Sequence, residues 1–288
     1  MPANKILNSE LAPWGAKCYD TPMINLHTLA TDAALQAGKI LLKYYKNDYE
    51  IQEKGYHNPV TTADHEADAF LKGFLMQATP DFGWLSEETV DSDVRLEKEY
   101  VWIVDPLDGT KEFIEGVPHF VVSIGLVKNG IPVLGVLYNP VRKELIRTDR
   151  AGVVWFNEEQ TGICQAKKLK EAGCLNSRSE TRRGLWEPWS GEFKELIPIG
   201  SVAYKLGLTA TGRQDFFVTL RPKNEWDVCA GHALLLANGG CMKTNTGQEI
   251  KYNQRKTVIE PGMTGGNPDL VRSFIKRFNE REGKQDGQ

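Results

Sequence analysis

The chain has 288 residues, 41% hydrophobic and 25% charged, which provides apolar material for a large buried core under an ordinary globular surface. Lys and Arg total 35 against 38 Asp and Glu, a formal charge of -3, which argues against a broad basic face for polymeric nucleic acid. The five cysteines, Cys18, Cys164, Cys174, Cys229 and Cys241, are odd in number and never spaced C-x-x-C, so neither a disulfide framework nor a zinc ribbon is indicated.

In chain order, the opening stretch MPANKILNSELAPWGAKCYD lacks the continuous apolar core of a signal peptide. No later segment approaches the ~20 apolar residues of a membrane span. Together with the cysteine usage, this reads as a cytoplasmic protein that does not enter a membrane. From Asn25 to Tyr45 the apolar positions Leu26, Leu29, Ala30, Ala33, Ala37, Ile40, Leu41 and Tyr44 recur at three and four, an amphipathic helix with Asn25 as its cap. A second helix is expected from about Ala63, with Ala67, Phe70, Leu71, Phe74 and Leu75 on one stripe and Thr79-Pro80 as its stop.

The run Val101-Trp102-Ile103-Val104 halts at Asp105-Pro106, the pattern of a buried strand that delivers an acid at its carboxyl end. Phe120–Val127 and Pro132–Tyr138 flank Asn129-Gly130, a pair suited to the positive φ angles of a type I′ hairpin, and Glu144–Thr148 continues the meander. The basic, turn-rich stretch Gln165–Gly200 suggests a boundary just before it, giving an N-terminal α+β half (1–160) and a C-terminal α/β half (161–288). Beyond it, Ser201–Thr211 reads as a helix, Asp215–Leu220 as a strand and Asp227–Ala237 as a helix closed by Asn238-Gly239-Gly240. The polar tail from Arg277 reads as disordered.

The strongest chemical signal is Asp105-Pro106-Leu107-Asp108-Gly109-Thr110. Two acids three apart on a tight turn after a buried strand can face one point, and Gly109 allows close backbone approach. The Gly109 and Thr110 amides then open a helix suited to a phosphate oxygen. Clustered carboxylates suit a hard cation such as Mg²⁺. Glu87 and Glu88 follow an apolar pair, and Asp227 stands where a helix begins. Alone, either of these would read as a solvated surface or an N-cap.

In combination the chain resembles the inositol monophosphatase superfamily. Leu85-Ser86-Glu87-Glu88, Asp105–Thr110, Glu225-Trp226-Asp227, the upstream Val60-Thr61-Thr62-Ala63-Asp64 and the closing Gly265-Gly266-Asn267-Pro268 carry the likeness, in order, over roughly residues 26 to 275. It implies an αβαβα layered sandwich, like that of inositol monophosphatase and fructose-1,6-bisphosphatase, and a metal-dependent, lithium-sensitive phosphoric monoester hydrolase. By the same resemblance Glu87, Asp105, the carbonyl of Leu107, Asp108 and Asp227 hold two or three magnesium ions. Asp64 and Thr110 polarise the attacking water, and the partner is a small phosphate ester handled by a monomer or homodimer. The five histidines, His27, His57, His65, His119 and His232, lie outside these motifs and read as structural or solvated.

Lys111-Glu112-Phe113 after the metal motif resembles CysQ-type 3′(2′),5′-bisphosphate nucleotidases more than inositol monophosphatases. So do Asn176-Ser177-Arg178-Ser179, Gly200-Ser201 and Lys205. The resemblance implies 3′-phosphoadenosine 5′-phosphate as substrate, with Gly109, Thr110, Ser177, Arg178, Gly200, Ser201, Lys205, Glu225 and Asp227 around it. An inositol monophosphate is the alternative, and a catalytically inactive metal- or phosphate-binding homologue a remote one. A second phosphate calls for basic groups, for which Arg178 and Lys205 are candidates. Trp186 and Trp189 could stack on a base, but packing is the simpler reading.

Overall fold

The computed structural model describes residues 24–55 and 58–285, so Cys18 and His57 lie outside the described residues. Helix α1 (Leu26–Tyr44) is capped by Asn25, whose side chain accepts the His27 and Thr28 amides, and α2 (Thr62–Ala78) ends at Thr79, as their periodicity and caps predict. A short pair, β1 (Ile51–Gly55) and β2 (Asn58–Thr61), leads into α2. A seven-stranded sheet follows in simple sequence order: β3 (Gly83–Ser86), β4 (Tyr100–Asp108), β5 (Val121–Lys128), β6 (Ile131–Asn139), β7 (Glu144–Thr148), β8 (Val154–Phe156) and β9 (Glu159–Gln160).

This sheet is an antiparallel meander except at β3, which pairs parallel to β4. The parallel pairing puts the carboxyl ends of β3 and β4 side by side, and Glu87 therefore arrives next to Asp105. The run from 101 to 104 has no polar alternation because both faces of β4 are covered. Trp102 and Val104 pack with α1 and α2, whereas Val101 and Ile103 join the core on the other side. At the hairpin, Asn129 (φ 50) and Gly130 (φ 81) adopt the positive φ expected of them. Pairing runs past Asp105 to Asp108 through an irregularity, so β4 reaches further than its apolar run indicates.

A second sheet has the order β11 (Glu195–Ile199), β10 (Gly173–Ser177), β12 (Phe216–Thr219), β16 (Met263–Gly266), β14 (Cys241–Thr244), and β13 (Lys223–Asn224) pairs separately with β15 (Val258–Ile259). Strands β10, β11 and β12 are mutually parallel, and β16 runs antiparallel to both of its neighbours, β12 and β14. Helix α3 (Thr110–Ile114) follows β4, α4 (Arg178–Arg182) follows β10, and α5 (Val202–Ala210) and α6 (Glu225–Ala237) lie between the two sheets in one continuous core. Phe217 faces that core, while Phe216 and Val218 face α7 (Pro268–Gln285) on the outer side. The layers are thus α1/α2, first sheet, α5/α6, second sheet and α7, the five-layer αβαβα arrangement expected.

The C-terminal tail departs from expectation, because α7 continues helical to Gln285 rather than ending before Arg277. Its inner face, Leu270, Val271 and Phe274, is buried against Trp189 and Phe216. Arg277 and Arg281 both pair with Glu192, and Arg281 also lies over the Trp189 ring. These anchors hold the polar end on the body of the protein. Among the described residues, no helix is long and apolar enough to cross a membrane.

Candidate active site

The carboxyl ends of the parallel pairs β3/β4 and β10/β11 open onto one cavity of about 260 Å³. Glu87, Asp105, Asp108 and Asp227 line it, together with Leu107, Gly109 and Thr110. So do five cations, Lys111, Arg178, Arg182, Lys205 and Lys223. Acids far apart in sequence therefore meet basic groups in a single opening.

Each acid is placed by a local rule. The Glu87 amide donates to the Val104 carbonyl at 3.3 Å, which carries the parallel pairing one residue past β3. Asp105 accepts the Leu107 amide on Oδ1 at 2.9 Å, closing the tight turn. Gly109 has φ 107, and a Cβ there would lie 2.8 Å from the His119 carbonyl, so both conformation and space demand glycine. Asp108 accepts the Ser201 hydroxyl at 2.5 Å and the Ala203 amide at 2.6 Å, both on Oδ2. Those two donors come from the first turn of α5, so Asp108 ties the first sheet to the middle helical layer.

Asp64 and Asp227 arrive by the same device. Each is the third residue of its helix, and its side chain accepts the amide of the residue before the helix: Thr61 to Asp64 Oδ2 at 2.7 Å, and Asn224 to Asp227 Oδ2 at 2.9 Å. Asp227 is therefore not the cap itself, since α6 starts two residues earlier than its apolar pattern suggests. Thr110 donates its hydroxyl to Asp64 Oδ1 at 3.1 Å and lies 3.2 Å from the Leu107 carbonyl. The expected water-polarising pair is thus in contact, with Asp64 held from behind by Thr61.

Carboxylate oxygens of Glu87, Asp105 and Asp227 all lie within 4.8 Å of one another, while Asp108 stands beside this group rather than in it. The consequence is strong like-charge crowding in a buried place. Burial, and then repulsion from Glu87, Asp108 and Asp227, drives the Asp105 carboxyl well above the usual range. Asp227 is pushed up to about 8 by burial and by Asp108 and Glu87. Asp64 and Asp108 are raised by burial, against hydrogen bonds that pull them down. A cation relieves such a cluster, and the donor set suits a hard one, being oxygen throughout. Glu87, Asp105 and Asp227 are thus the side chains that would hold such an ion, with Asp108 and the Leu107 carbonyl at the same opening.

Of the expected substrate contacts, Gly109, Thr110, Ser177, Arg178, Gly200, Ser201, Lys205 and Asp227 all line the cavity. Glu225 does not. It is buried, and its two oxygens accept the Asn253 and Gln254 amides at 2.7 and 2.8 Å, so its carboxylate serves the 253–254 loop instead of a ligand. Arg178 is engaged by Glu112 at 2.9 Å and Glu115 at 2.8 Å, which fixes its guanidinium at the cavity wall. Lys205 is buried, donates to the Ile199 carbonyl at 3.2 Å, and has its pKa lowered to about 8 by burial. Ser201 holds φ 56, a left-handed value that costs a non-glycine residue about 1–3 kcal/mol, at the point where its hydroxyl meets Asp108.

Sequence reasoning did not single out Lys111, Glu112, Glu115, Arg182 or Lys223 as site residues. The first two stand in the very segment used to choose a substrate, whereas Lys223 sits on a two-residue strand with no local signal. Trp186 and Trp189 are buried in the outer core, and the Trp186 indole donates to Glu180 at 3.0 Å, so both are packing residues. None of the described histidines lines the cavity.

Comparison with known proteins agrees with this geometry. The chain matches the inositol monophosphatase family over residues 24–279. It is 35% identical to the 3′(2′),5′-bisphosphate nucleotidase CysQ of Salmonella typhimurium over 80% of this chain and 95% of that one. It is 29% identical to inositol monophosphatase 2 of Solanum lycopersicum over 88% and 98% of the two chains. Among solved structures it superposes on the IMPase of Thermotoga maritima with a TM-score of 0.78 at 25% identity, covering 89% of this chain and 98% of that one. The extragenic suppressor protein suhB of Bartonella henselae gives 0.77 at 26% identity, with 88% and 98% covered. With its five layers, its acid cluster and a match spanning nearly all described residues, the chain belongs to the inositol monophosphatase family and is a metal-dependent phosphatase.

Proposed function

We propose that the protein is a magnesium-dependent 3′(2′),5′-bisphosphate nucleotidase that hydrolyses 3′-phosphoadenosine 5′-phosphate to AMP and phosphate. Glu87, Asp105, the Leu107 carbonyl, Asp108 and Asp227 would hold the magnesium. When bound, it supplies positive charge to the phosphoryl oxygens and acidifies water. The observation that carries the substrate assignment is the cavity's composition, since an acid cluster shares one opening with five cations, of which Arg178 and Arg182 also pair with Glu112 and Glu115. An inositol monophosphate offers only the phosphate being cleaved, and the cations would then face none. A nucleoside bisphosphate brings a second phosphate that these cations match. The CysQ likeness points the same way.

The residues around the scissile bond divide the work. Thr110, hydrogen-bonded to Asp64, turns a lone pair toward an incoming water; as the water's oxygen bonds to phosphorus, its proton passes to Thr110 while the Thr110 hydroxyl proton passes to the Asp64 carboxylate. The bond from phosphorus to the ribose oxygen breaks, and that oxygen is reprotonated from water. Asp64 keeps its orientation because its second oxygen is tied to Thr61 through both amide and hydroxyl. Lys205 and Arg178 orient the remote phosphate, Lys205 with the ammonium protons it does not spend on Ile199. The deciding experiment compares kcat/KM for 3′-phosphoadenosine 5′-phosphate and for inositol 1-phosphate. A marked preference for the nucleotide is expected, and a preference for the inositol ester overturns the substrate assignment.

A further inference from the structure

One turn beyond Asp64 on α2 stands a second buried acid, Asp68, outside the groups assigned to the cation, the water and the substrate. Asp68 is 8% exposed and spends both carboxylate oxygens on the loop that carries Glu87: the Ser86 hydroxyl donates to Oδ1 at 2.5 Å and the Thr89 hydroxyl to Oδ2 at 2.6 Å. These donors flank Glu87 and Glu88, so the loop between them is pinned at both ends. The Trp84 indole donates to the Thr89 oxygen at 3.3 Å and the Glu88 amide to the Ser86 oxygen at 3.4 Å, which fixes the rotamers of both hydroxyl side chains. On its other side the same loop is held to β4 by the Glu87 amide at the Val104 carbonyl, directly before Asp105.

We infer that Asp68 is a positioning residue that sets Glu87 for the cation, through a two-hydroxyl clamp on Ser86 and Thr89. The geometry demands more than a loop anchor. A carboxylate receiving one hydroxyl on each oxygen fixes the loop's rotation as well as its distance from α2, and rotation decides where the Glu87 side chain points. Asp64 and Asp68 are four apart and so lie on one helical face. Helix α2 therefore carries the partner of Thr110 and the clamp on Glu87 together, and links the water-polarising pair to the cation cluster as one rigid body. Groups that orient cation ligands from behind typically change affinity 10- to 100-fold when removed.

This inference rests on Glu87 being a cation ligand, and the test separates the two. Mg²⁺ binding to the full chain, without substrate, is measured by calorimetry for the wild type, Glu87→Gln, Asp68→Asn, Thr89→Val and Thr89→Ser. Asp68→Asn keeps the shape but turns one acceptor into a donor, and Thr89→Val removes one hydroxyl without disturbing the acid. Each is expected to weaken Mg²⁺ binding about tenfold, with Thr89→Ser restoring it and the pair Asp68→Asn/Thr89→Val no worse than the single variants. Neither Asp68→Asn nor Thr89→Val should weaken binding further in a Glu87→Gln background. If Glu87→Gln is weak while Thr89→Val binds like the wild type, the clamp is refuted and the cation site stands. If Glu87→Gln itself binds normally, the assignment of Glu87 fails and the clamp with it. Should Asp68→Asn not fold, Thr89→Val and Thr89→Ser decide alone.

Discussion

The crowding of acids makes a prediction about stability that does not depend on catalysis. Asp227→Asn removes a carboxylate raised from 3.8 to about 8 by burial and by Asp108 and Glu87, while an asparagine oxygen can still accept the Asn224 amide that Asp227 accepts at 2.9 Å. Because the folded carboxyl holds its proton to higher pH than the unfolded one, the cation-free wild type loses stability as pH rises from about 4 to about 8. At pH 7 that window spans about three units, or about 4 kcal/mol at about 1.4 kcal/mol per unit, and sharing among coupled acids brings it to about 2–4 kcal/mol. The variant escapes this loss. In EDTA its melting temperature should exceed the wild type's by roughly 5–10 °C near pH 7, and the gap should close near pH 4. Added Mg²⁺ should raise the wild type and leave the variant almost unmoved. Scanning calorimetry at several pH values, with EDTA and with Mg²⁺, reads all three. A variant no more stable than the wild type in EDTA at neutral pH, or one that gains as much from Mg²⁺, would refute the reasoning.

Replacing Asp105 by Asn should cost several orders of magnitude in turnover, measured as phosphate release at saturating Mg²⁺; an ordinary rate would discredit the cluster as the reaction centre. Thr110→Ala should lower kcat about 10²–10³-fold with KM little changed, and Thr110→Ser should recover most of it. Because the Lys205 pKa is lowered to about 8, its charge fades as pH rises through that value. KM for the bisphosphate should then climb above about pH 8 in the wild type but not in Lys205→Arg. Gly200→Ala would place a Cβ 2.1 Å from the Glu112 carboxyl carbon, displacing the partner of Arg178, and should raise KM for the bisphosphate more than it lowers kcat.

Where local physics decides, the sequence was readable. Helices α1 and α2 and the Asn129-Gly130 hairpin follow from periodicity, caps and turn chemistry within a few residues, and the metal motif was legible because a buried strand must end where acids begin. What stayed hidden depends on contacts distant in sequence. That β3 would pair parallel to β4, and so bring Glu87 beside Asp105, has no signature in four residues. Helix α7 runs through a stretch read as disordered because Glu192 and Trp189, far earlier in the chain, receive Arg277 and Arg281. Glu225 resembled a ligand by its neighbours in sequence, yet the 253–254 loop claims both of its oxygens. Asp68 gave no signal, since a lone Asp on a helix face usually meets solvent.

The four aspartates of the centre share one property that explains how the protein can build it before any cation arrives. In each, described hydrogen bonds from the scaffold fix one carboxylate oxygen: Oδ2 of Asp64 by Thr61, Oδ1 of Asp105 by Leu107, Oδ2 of Asp108 by Ser201 and Ala203, and Oδ2 of Asp227 by Asn224. Most of those donors are neutral backbone amides of turns and helix starts, which orient a carboxylate without cancelling its charge. An arginine in the same role would have oriented and neutralised together, leaving less for a divalent ion to gain. The fold therefore spends helix caps and a turn, features it needs in any case, to hold acids in place while keeping their repulsion intact. Arg178, at the cavity wall, is matched instead to Glu112 and Glu115. Lys205 and Lys223 offset part of the charge on Asp108 and Asp227, burial and mutual repulsion still outweigh them, and a divalent ion that relieves the rest lets an acidic protein grip a phosphate.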